Sequence, residues 1–124
     1  MLSDKFRFLA PYNIEPGLAD RLQSLARDLE RIRSGSAPTL AELAQAPLLD
    51  RWRARVTPLG LRLSGVVSGH PRLRVTTALI SQLWAADAED RWVRSLSRFY
   101  RLGRPDLGSE PIWDATEDEE PRDV

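Results

Sequence analysis

Residues 91–104 contain five arginines with three aromatic residues interleaved among them, and this combination could bind a phosphodiester strand. Guanidinium groups bind phosphates through paired hydrogen bonds, and exposed aromatic rings stack on bases. We expect the phosphate contacts to come from five arginines: Arg72, Arg74, Arg94, Arg98 and Arg101. Trp92, Phe99 and Tyr100 would supply the stacking. The alternative stays open that these rings are core and that the arginines line a solvated face or bind an acidic part of the chain.

Side chains that could support catalysis or bind a metal are few. The chain has one histidine, His70, and no cysteine, which excludes disulfides, thiolate nucleophiles and cysteine-ligated metals. No carboxylate lies close to His70 in sequence, so we expect no metal site and no cofactor. Since His70 stands between Gly69 and Pro71, we expect its imidazole to stabilise a turn. Ser68 does not have the glycines two positions before and two positions after it that a nucleophile elbow needs, and we therefore expect no enzyme.

Charge is strongly partitioned along the chain although the net charge is zero. Residues 51–104 carry eleven arginines and three acids (11 − 3 = +8), whereas residues 106–124 carry eight acids and one arginine (1 − 8 = −7). Residues 1–50 are nearly balanced, with six basic and seven acidic side chains (6 − 7 = −1). A basic body followed by an acidic tail predicts a polyanionic ligand, a basic partner, or contact between the two halves of the chain.

The length of 124 residues fits one domain, which we place at residues 1–105. Residues 106–124 are predicted to be an acidic disordered tail, because such a composition cannot bury enough apolar surface to fold alone. Trp113 lies within this tail and is the side chain expected to contact a protein partner. No run of ten apolar residues occurs, so we expect no signal peptide, no membrane contact and a cytoplasmic location.

Two helices are predicted in the first half of the chain. Five apolar residues recur at spacings of four and three and form one helical stripe: Leu18, Leu22, Leu25, Leu29 and Ile32. Gly35 is expected to end this helix. Thr39 and Glu42 have the spacing of a capping box, which predicts a short second helix that Pro47 terminates. Residues 1–15 are an arm of unassigned structure that could pack on the core.

Strands are predicted in the second half. Apolar residues alternate with period two over residues 59–67, and a turn over residues 68–71 follows. Residues 75–81 are rich in β-branched side chains and predict a second strand, and residues 85–90 a polar reversal. Residues 91–103 satisfy both periods, and periodicity alone favours a helix that Gly103 would cap.

Three stretches resemble the core of an uncharacterised family of small alphaproteobacterial proteins and, more loosely, a hairpin of phage and plasmid proteins. They are the segment from Gly65 to the Gly-His-Pro turn at residues 69–71, residues 76–81, and residues 91–103 with their Arg-Phe-Tyr-Arg-Leu-Gly ending. The resemblance implies a strand over residues 91–102. It therefore implies an α+β fold, in which an N-terminal helical pair precedes a small antiparallel sheet.

We expect from these observations a small bacterial protein that binds rather than catalyses. The leading hypothesis is a nucleic-acid-binding accessory or regulatory protein, in which the acidic tail is autoinhibitory. The alternative is a protein–protein adaptor or inhibitor of mobile-element origin that engages a basic partner through its acidic tail and Trp113.

Overall fold

The computed structural model describes residues 2–57, 60–106 and 110–113. In this part of the chain the helices are α1 (Leu2–Lys5), α2 (Leu18–Arg33) and α3 (Leu40–Gln45), with short 3-10 turns at Arg7–Leu9 and Pro11–Asn13. The strands are β1 (Leu48–Thr57), β2 (Gly60–Ser68), β3 (Thr76–Leu79), β4 (Leu83–Ala86), β5 (Trp92–Ser95), β6 (Phe99–Leu102) and β7 (Ile112–Trp113). The α+β class is confirmed.

Both predicted helices, α2 and α3, are present, and the residues at their N-termini explain where each one begins. Gly17 precedes α2 with a φ of 87°, a left-handed conformation that glycine adopts without steric cost. In α3 the predicted capping box is complete. Thr39 Oγ1 accepts the backbone N–H of Glu42 at 3.1 Å, and the Thr39 N–H donates to Glu42 Oε1 at 3.0 Å. Ile32 of α2 and Leu43 of α3 pack on one apolar cluster with two rings of the sheet.

The sheet is mixed, whereas a purely antiparallel sheet was expected. Its strand order is β3-β2-β1-β6-β5-β4, and β7 also pairs with β1. The pairs of β1 with β6 and with β7 are parallel, and the others are antiparallel. The sheet consists of two antiparallel meanders, β1–β2–β3 and β4–β5–β6, which are joined by the pairing of β1 with β6. Whether these two strands pair in parallel or antiparallel depends on packing, because apolar alternation carries no information on strand direction.

The sheet is rolled, because a short linker joins its two edge strands. In a flat sheet β3 and β4 would lie roughly 24 Å apart. Only residues 80–82 connect them, and such a linker spans at most roughly 14 Å. Ile80 extends the β2–β3 ladder by one residue, since its N–H donates to Leu63 O at 3.0 Å. The roll encloses the main core: Leu49, Leu63, Val67, Ala78, Ile80, Val93 and Tyr100.

Three strand segments differ from the prediction. β1 was not predicted because a bulge between Asp50 and Arg53 breaks its alternation, and Arg51 in this bulge has a positive φ of 52°. β4 occupies the first part of the predicted polar reversal, and the turn itself follows it. Residues 91–102 are neither one helix nor one strand but the hairpin of β5 and β6, in which Arg94 pairs with Phe99.

Two described parts of the predicted tail contact β1: Asp106, whose N–H donates to Trp52 O at 2.9 Å, and the strand β7. β7 pairs in parallel with β1, at Arg55 with Ile112 and at Val56 with Trp113. A carbonyl just before this strand, that of Glu110, accepts a hydrogen bond from Arg53 Nε at 2.9 Å. The structure does not describe residues 107–109, residues 114–124 or the side chain of Trp113. The disorder predicted for this part of the chain therefore stays a prediction.

Candidate anion-binding cleft

A cleft of about 540 Å³ lies between α2, α3 and the turn of the β5–β6 hairpin. The topology explains its position. Leu48 at the start of β1 pairs with Ser68 at the end of β2 and with Arg101 in β6. The loop after β2, the residues before β1 and the hairpin turn before β6 therefore meet at one end of the sheet. The helices α2 and α3 pack over this end and form the opposite wall of the cleft.

Arg94 lies at the floor of the cleft and is almost completely buried, with 1% of its surface exposed. Its Nε donates to Asp28 Oδ2 at 3.1 Å and its Nη1 to Ser95 O at 2.6 Å. The guanidinium carbon lies 5.5 Å from the centre of the Phe99 ring. Burial lowers the pKa of Arg94 and the charge of Arg98 lowers it further, while Asp28 acts in the opposite direction. Arg94 was predicted to contact phosphate, whereas in the structure its guanidinium is buried and paired with Asp28.

Arg98 lies in the hairpin turn and lines the cleft with its side chain. Ser95 holds the turn, because its N–H and its Oγ both donate to Arg98 O, at 2.9 and 3.1 Å. Arg98 Nε is buried and has no hydrogen-bond partner among the described residues. A buried donor without an acceptor costs about 1–3 kcal/mol.

The two acids of the cleft are already paired by arginines. Asp28 accepts from Arg94 and, through Oδ1, from Arg31 Nη1 at 2.9 Å. Glu42 accepts from both terminal nitrogens of Arg31. Arg94 and Arg98 line the cleft together with these two carboxylates (2 − 2 = 0). Arg31 lies outside the lining but pairs with both acids, and with it the cluster has one positive charge in excess (3 − 2 = +1). Arg98 carries this excess, because it forms no ion pair among the described residues.

The Arg31–Glu42 pair gives the protein a predicted dependence of stability on pH. The hydrogen bond from Arg31 lowers the pKa of Glu42 from 4.5 to about 2. Because the folded state binds this proton more weakly than the unfolded state, the stabilisation is complete above pH 4.5 and is lost as the pH falls towards about 2. Urea midpoints of the wild type should fall across this interval more steeply than those of Glu42→Gln. Parallel pH curves for the two proteins would contradict the assignment.

Two more of the predicted arginines stand beside the cleft. Arg72 and Arg74 are exposed in the loop after β2, and Pro71 of the same loop lines the cleft. His70 is buried, and its Nδ1 accepts the backbone N–H of Arg72 at 2.9 Å. This bond gives His70 a role in shaping the loop that presents both arginines.

Arg101 supports the wall of the cleft. Its Nε donates to Ala46 O at 3.0 Å, which holds the end of α3 against β6. All five predicted arginines therefore lie at the same end of the sheet, but in different roles. Arg94 is buried at the bottom of the cleft, and Arg98 lines it. Arg101 is hydrogen-bonded to one of its walls. Arg72 and Arg74 are exposed in the loop beside it.

The expected stacking platform is absent from this surface. Trp92, Phe99 and Tyr100 are all buried, and Trp92 packs edge-on against Phe99 with ring centres 5.7 Å apart. These rings are core, as the alternative interpretation held. Asp28 was not among the predicted site residues, although it pairs with Arg94 in the cleft. The only local signal was its place beside the apolar stripe, between Leu25 and Leu29.

Metal-binding clusters and membrane-spanning helices are both absent from the part of the chain that the structure describes. Those residues contain no group of three or more acidic or histidine side chains that could hold a metal ion. Within the same residues, no helix has the length and apolar composition to cross a membrane.

The model of one protein family, described as a family of unknown function (DUF6634), matches residues 20–113. The matched span runs from the first turn of α2 to β7 and includes every residue that lines the cleft. No curated protein and no solved structure shows significant similarity to the chain. The expectation of an uncharacterised family is confirmed.

Proposed function

The chain belongs to DUF6634, a family of unknown function, and we propose that it binds nucleic acid through the cleft and the loop beside it. The observation that carries this proposal is Arg98, which lines the cleft and forms no ion pair among the described residues. Arg72 and Arg74 stand next to it and are exposed. A phosphate is the group that satisfies an arginine of this kind, and a strand supplies further phosphates to its neighbours.

The remaining charge of the body supports the proposal. In the part of the chain that the structure describes, at least three of the eleven arginines of the body form ion pairs: Arg91 with Asp87 of the body, and Arg94 and Arg104 with Asp28 and Asp50, which precede it. Several others form no ion pair there, namely Arg51, Arg53, Arg74, Arg98 and Arg101. Uncompensated arginines favour binding to a polyanion, because each phosphate contact releases condensed counterions.

The acidic end of the chain has a role in the same proposal. β7 brings the chain back to β1, next to Arg53, immediately before residues 114–124. These residues carry six acids and one arginine (1 − 6 = −5). In the proposed function they compete with nucleic acid for the arginines. Truncation after Trp113 keeps β7 and should tighten binding at low salt, whereas the difference should shrink at high salt because screening weakens the competition.

Fluorescence anisotropy with short labelled single-stranded DNA and RNA tests the function. The double variant Arg72→Ala/Arg74→Ala should bind about tenfold or more weakly, and its salt slope should fall by about 0.7 for each phosphate that the variant no longer binds. Arg91→Ala is the matched control, since Arg91 is exposed, lies at the opposite end of β5 and is paired with Asp87. If the wild type binds neither DNA nor RNA at low salt, the proposal is wrong.

A second candidate function is that of a protein–protein adaptor, and the N-terminal arm favours it. Phe8 and Tyr12 are 75% and 79% exposed, and Ile14 is exposed as well. Exposed apolar side chains grouped on one segment are typical of protein interaction sites. The side chain of Trp113, the contact first expected, is outside the described residues. Pull-downs with Phe8→Ser/Tyr12→Ser and with Trp113→Ala separate the two contacts, and a partner retained by both variants would contradict an adaptor of this kind.

A further inference from the structure

We infer that Trp84 stacks on an unpaired base of the bound nucleic acid, next to the hairpin turn that carries Arg98. This inference rests on the proposed function and adds to it the recognition of a base in a single strand. The rings that were expected to stack, Trp92, Phe99 and Tyr100, are buried, whereas Trp84 is 49% exposed.

A β-bulge sets Trp84 outside the regular pattern of its strand. In the pairing of β4 with β5, Leu83 lies opposite Ser95 and Ala85 opposite Arg94, so Trp84 is the extra residue between them. Leu83 packs on the main core, and Ala85 packs on the apolar cluster that α2 and α3 cover. Bulges re-aim side chains and are common next to functional sites. Because of this bulge, both chain neighbours are packed while the indole of Trp84 remains exposed.

The register places Trp84 close to the hairpin turn. Leu83 lies opposite Ser95, and the Ser95 N–H donates to Arg98 O at 2.9 Å. Neighbouring strands are about 4.8 Å apart, so the backbone at Leu83 is roughly 10 Å from that of Arg98, two strands away. Arg98 forms no ion pair among the described residues. A strand whose phosphate contacts Arg98 therefore has its bases within reach of Trp84, and this combination of contacts is how proteins commonly bind single strands.

The surroundings of Trp84 favour a base over a protein partner. Among the residues of β4, β5 and β6, all of which the structure describes, Trp84 is the only large apolar side chain that is exposed. A protein-binding patch normally groups several such side chains. The turn after β4 is acidic, but Arg91 pairs with both Asp87 and Glu89 and neutralises part of its charge. A single exposed ring near an available arginine is suited to bases, because every base has an aromatic face.

Stacking on Trp84 requires that the base is unpaired. The bases of a duplex are stacked on one another, and their faces become accessible only when they are unstacked at a cost in free energy. We therefore expect Trp84 to strengthen the binding of single strands and not of duplexes. The arginines contact phosphates, which both kinds of ligand present.

Fluorescence anisotropy at low salt with three labelled ligands of equal length tests the inference: a single strand, the same backbone with abasic sites in place of its bases, and a duplex. Trp84→Ala should bind the single strand about tenfold more weakly than the wild type does, and the other two ligands with unchanged affinity. Trp84→Phe keeps an aromatic ring and should retain most of the affinity. Tyr12→Ala is the matched control, since Tyr12 is an aromatic residue of the N-terminal arm that is 79% exposed. Thermal unfolding of each variant excludes a folding defect.

The outcomes separate the two proposals. If Trp84→Ala binds the single strand as tightly as the wild type, or weakens all three ligands by the same factor, the stacking inference is wrong. The proposed function then still stands, provided that binding depends on Arg72 and Arg74. If the wild type binds none of the three ligands, both proposals are wrong. Self-association that Trp84→Ala abolishes without any change in nucleic-acid binding would assign the indole to a protein interface instead.

Discussion

Replacement of Asp28 by alanine is expected to lower the free energy of unfolding by about 3–5 kcal/mol, because it leaves the buried Arg94 without its carboxylate. Arg94 is 1% exposed and its Nε is 3.1 Å from Asp28 Oδ2. A guanidinium cannot release its proton to escape the burial at ordinary pH. Since domains of this size have about 5–15 kcal/mol of stability in total, the variant should be close to unfolding.

Urea unfolding measures this effect, and two further variants make it specific. Glu30→Ala removes a carboxylate from the same helix, but Glu30 is 70% exposed and pairs with Arg33 at the surface, so its loss should cost at most about 1 kcal/mol. Asp28→Ala/Arg94→Met removes both charges and should recover much of the lost stability, since an apolar side chain is tolerated where an unpaired charge is not. If Asp28→Ala and Glu30→Ala lower the free energy of unfolding equally, the Asp28–Arg94 ion pair does not have the importance assigned to it.

Replacement of Ile80 by alanine is expected to cost about 2–5 kcal/mol, because its side chain fills the interior where the two edges of the sheet meet. Ile80 is fully buried although it lies in the linker between β3 and β4. A cavity at this position removes apolar contacts from both ends of the roll. The midpoint of thermal unfolding should fall by roughly 10 °C or more.

Val75→Ala is the control for this variant. Val75 precedes β3 in the same part of the chain and is 70% exposed, so the substitution should change stability by no more than about 0.5 kcal/mol. If Ile80→Ala proves as mild as Val75→Ala, residues 80–82 do not close the sheet and the rolled topology is wrong.

The helices could be predicted from the sequence because their signals are local. The apolar stripe of α2 and the capping box of α3 depend on residues three and four positions apart, and both elements appear where they were expected. β2 was predicted from its period of two and β3 from its β-branched side chains, and both of these signals are also local. A polar reversal was predicted over residues 85–90, and its first two residues belong to β4.

Elements that depend on distant partners could not be predicted in the same way. The bulge at Arg51 disturbs the alternation of β1, and only the pairing with β2 defines that strand. The parallel pairing of β6 with β1 joins residues about fifty positions apart. β7 is two residues long, so no pattern in its own sequence distinguishes it from the acidic segment around it.

The candidate site shows the same division. The sequence by itself determined that an arginine-rich body precedes an acidic end and that Arg72, Arg74, Arg94, Arg98 and Arg101 are candidates for binding an anion. Composition and local spacing suffice for that statement, because charge is a property of each residue alone.

Only the tertiary structure decided the role of each arginine. It paired Arg94 with Asp28, which lies 66 positions away, bonded Arg101 to Ala46 O, and left Arg98 Nε without an acceptor among the described residues. It also placed the aromatic rings in the core. The physical reason is that burial and pairing depend on which distant segments meet, and a charge is either neutralised or available for a ligand only once its neighbours are in place.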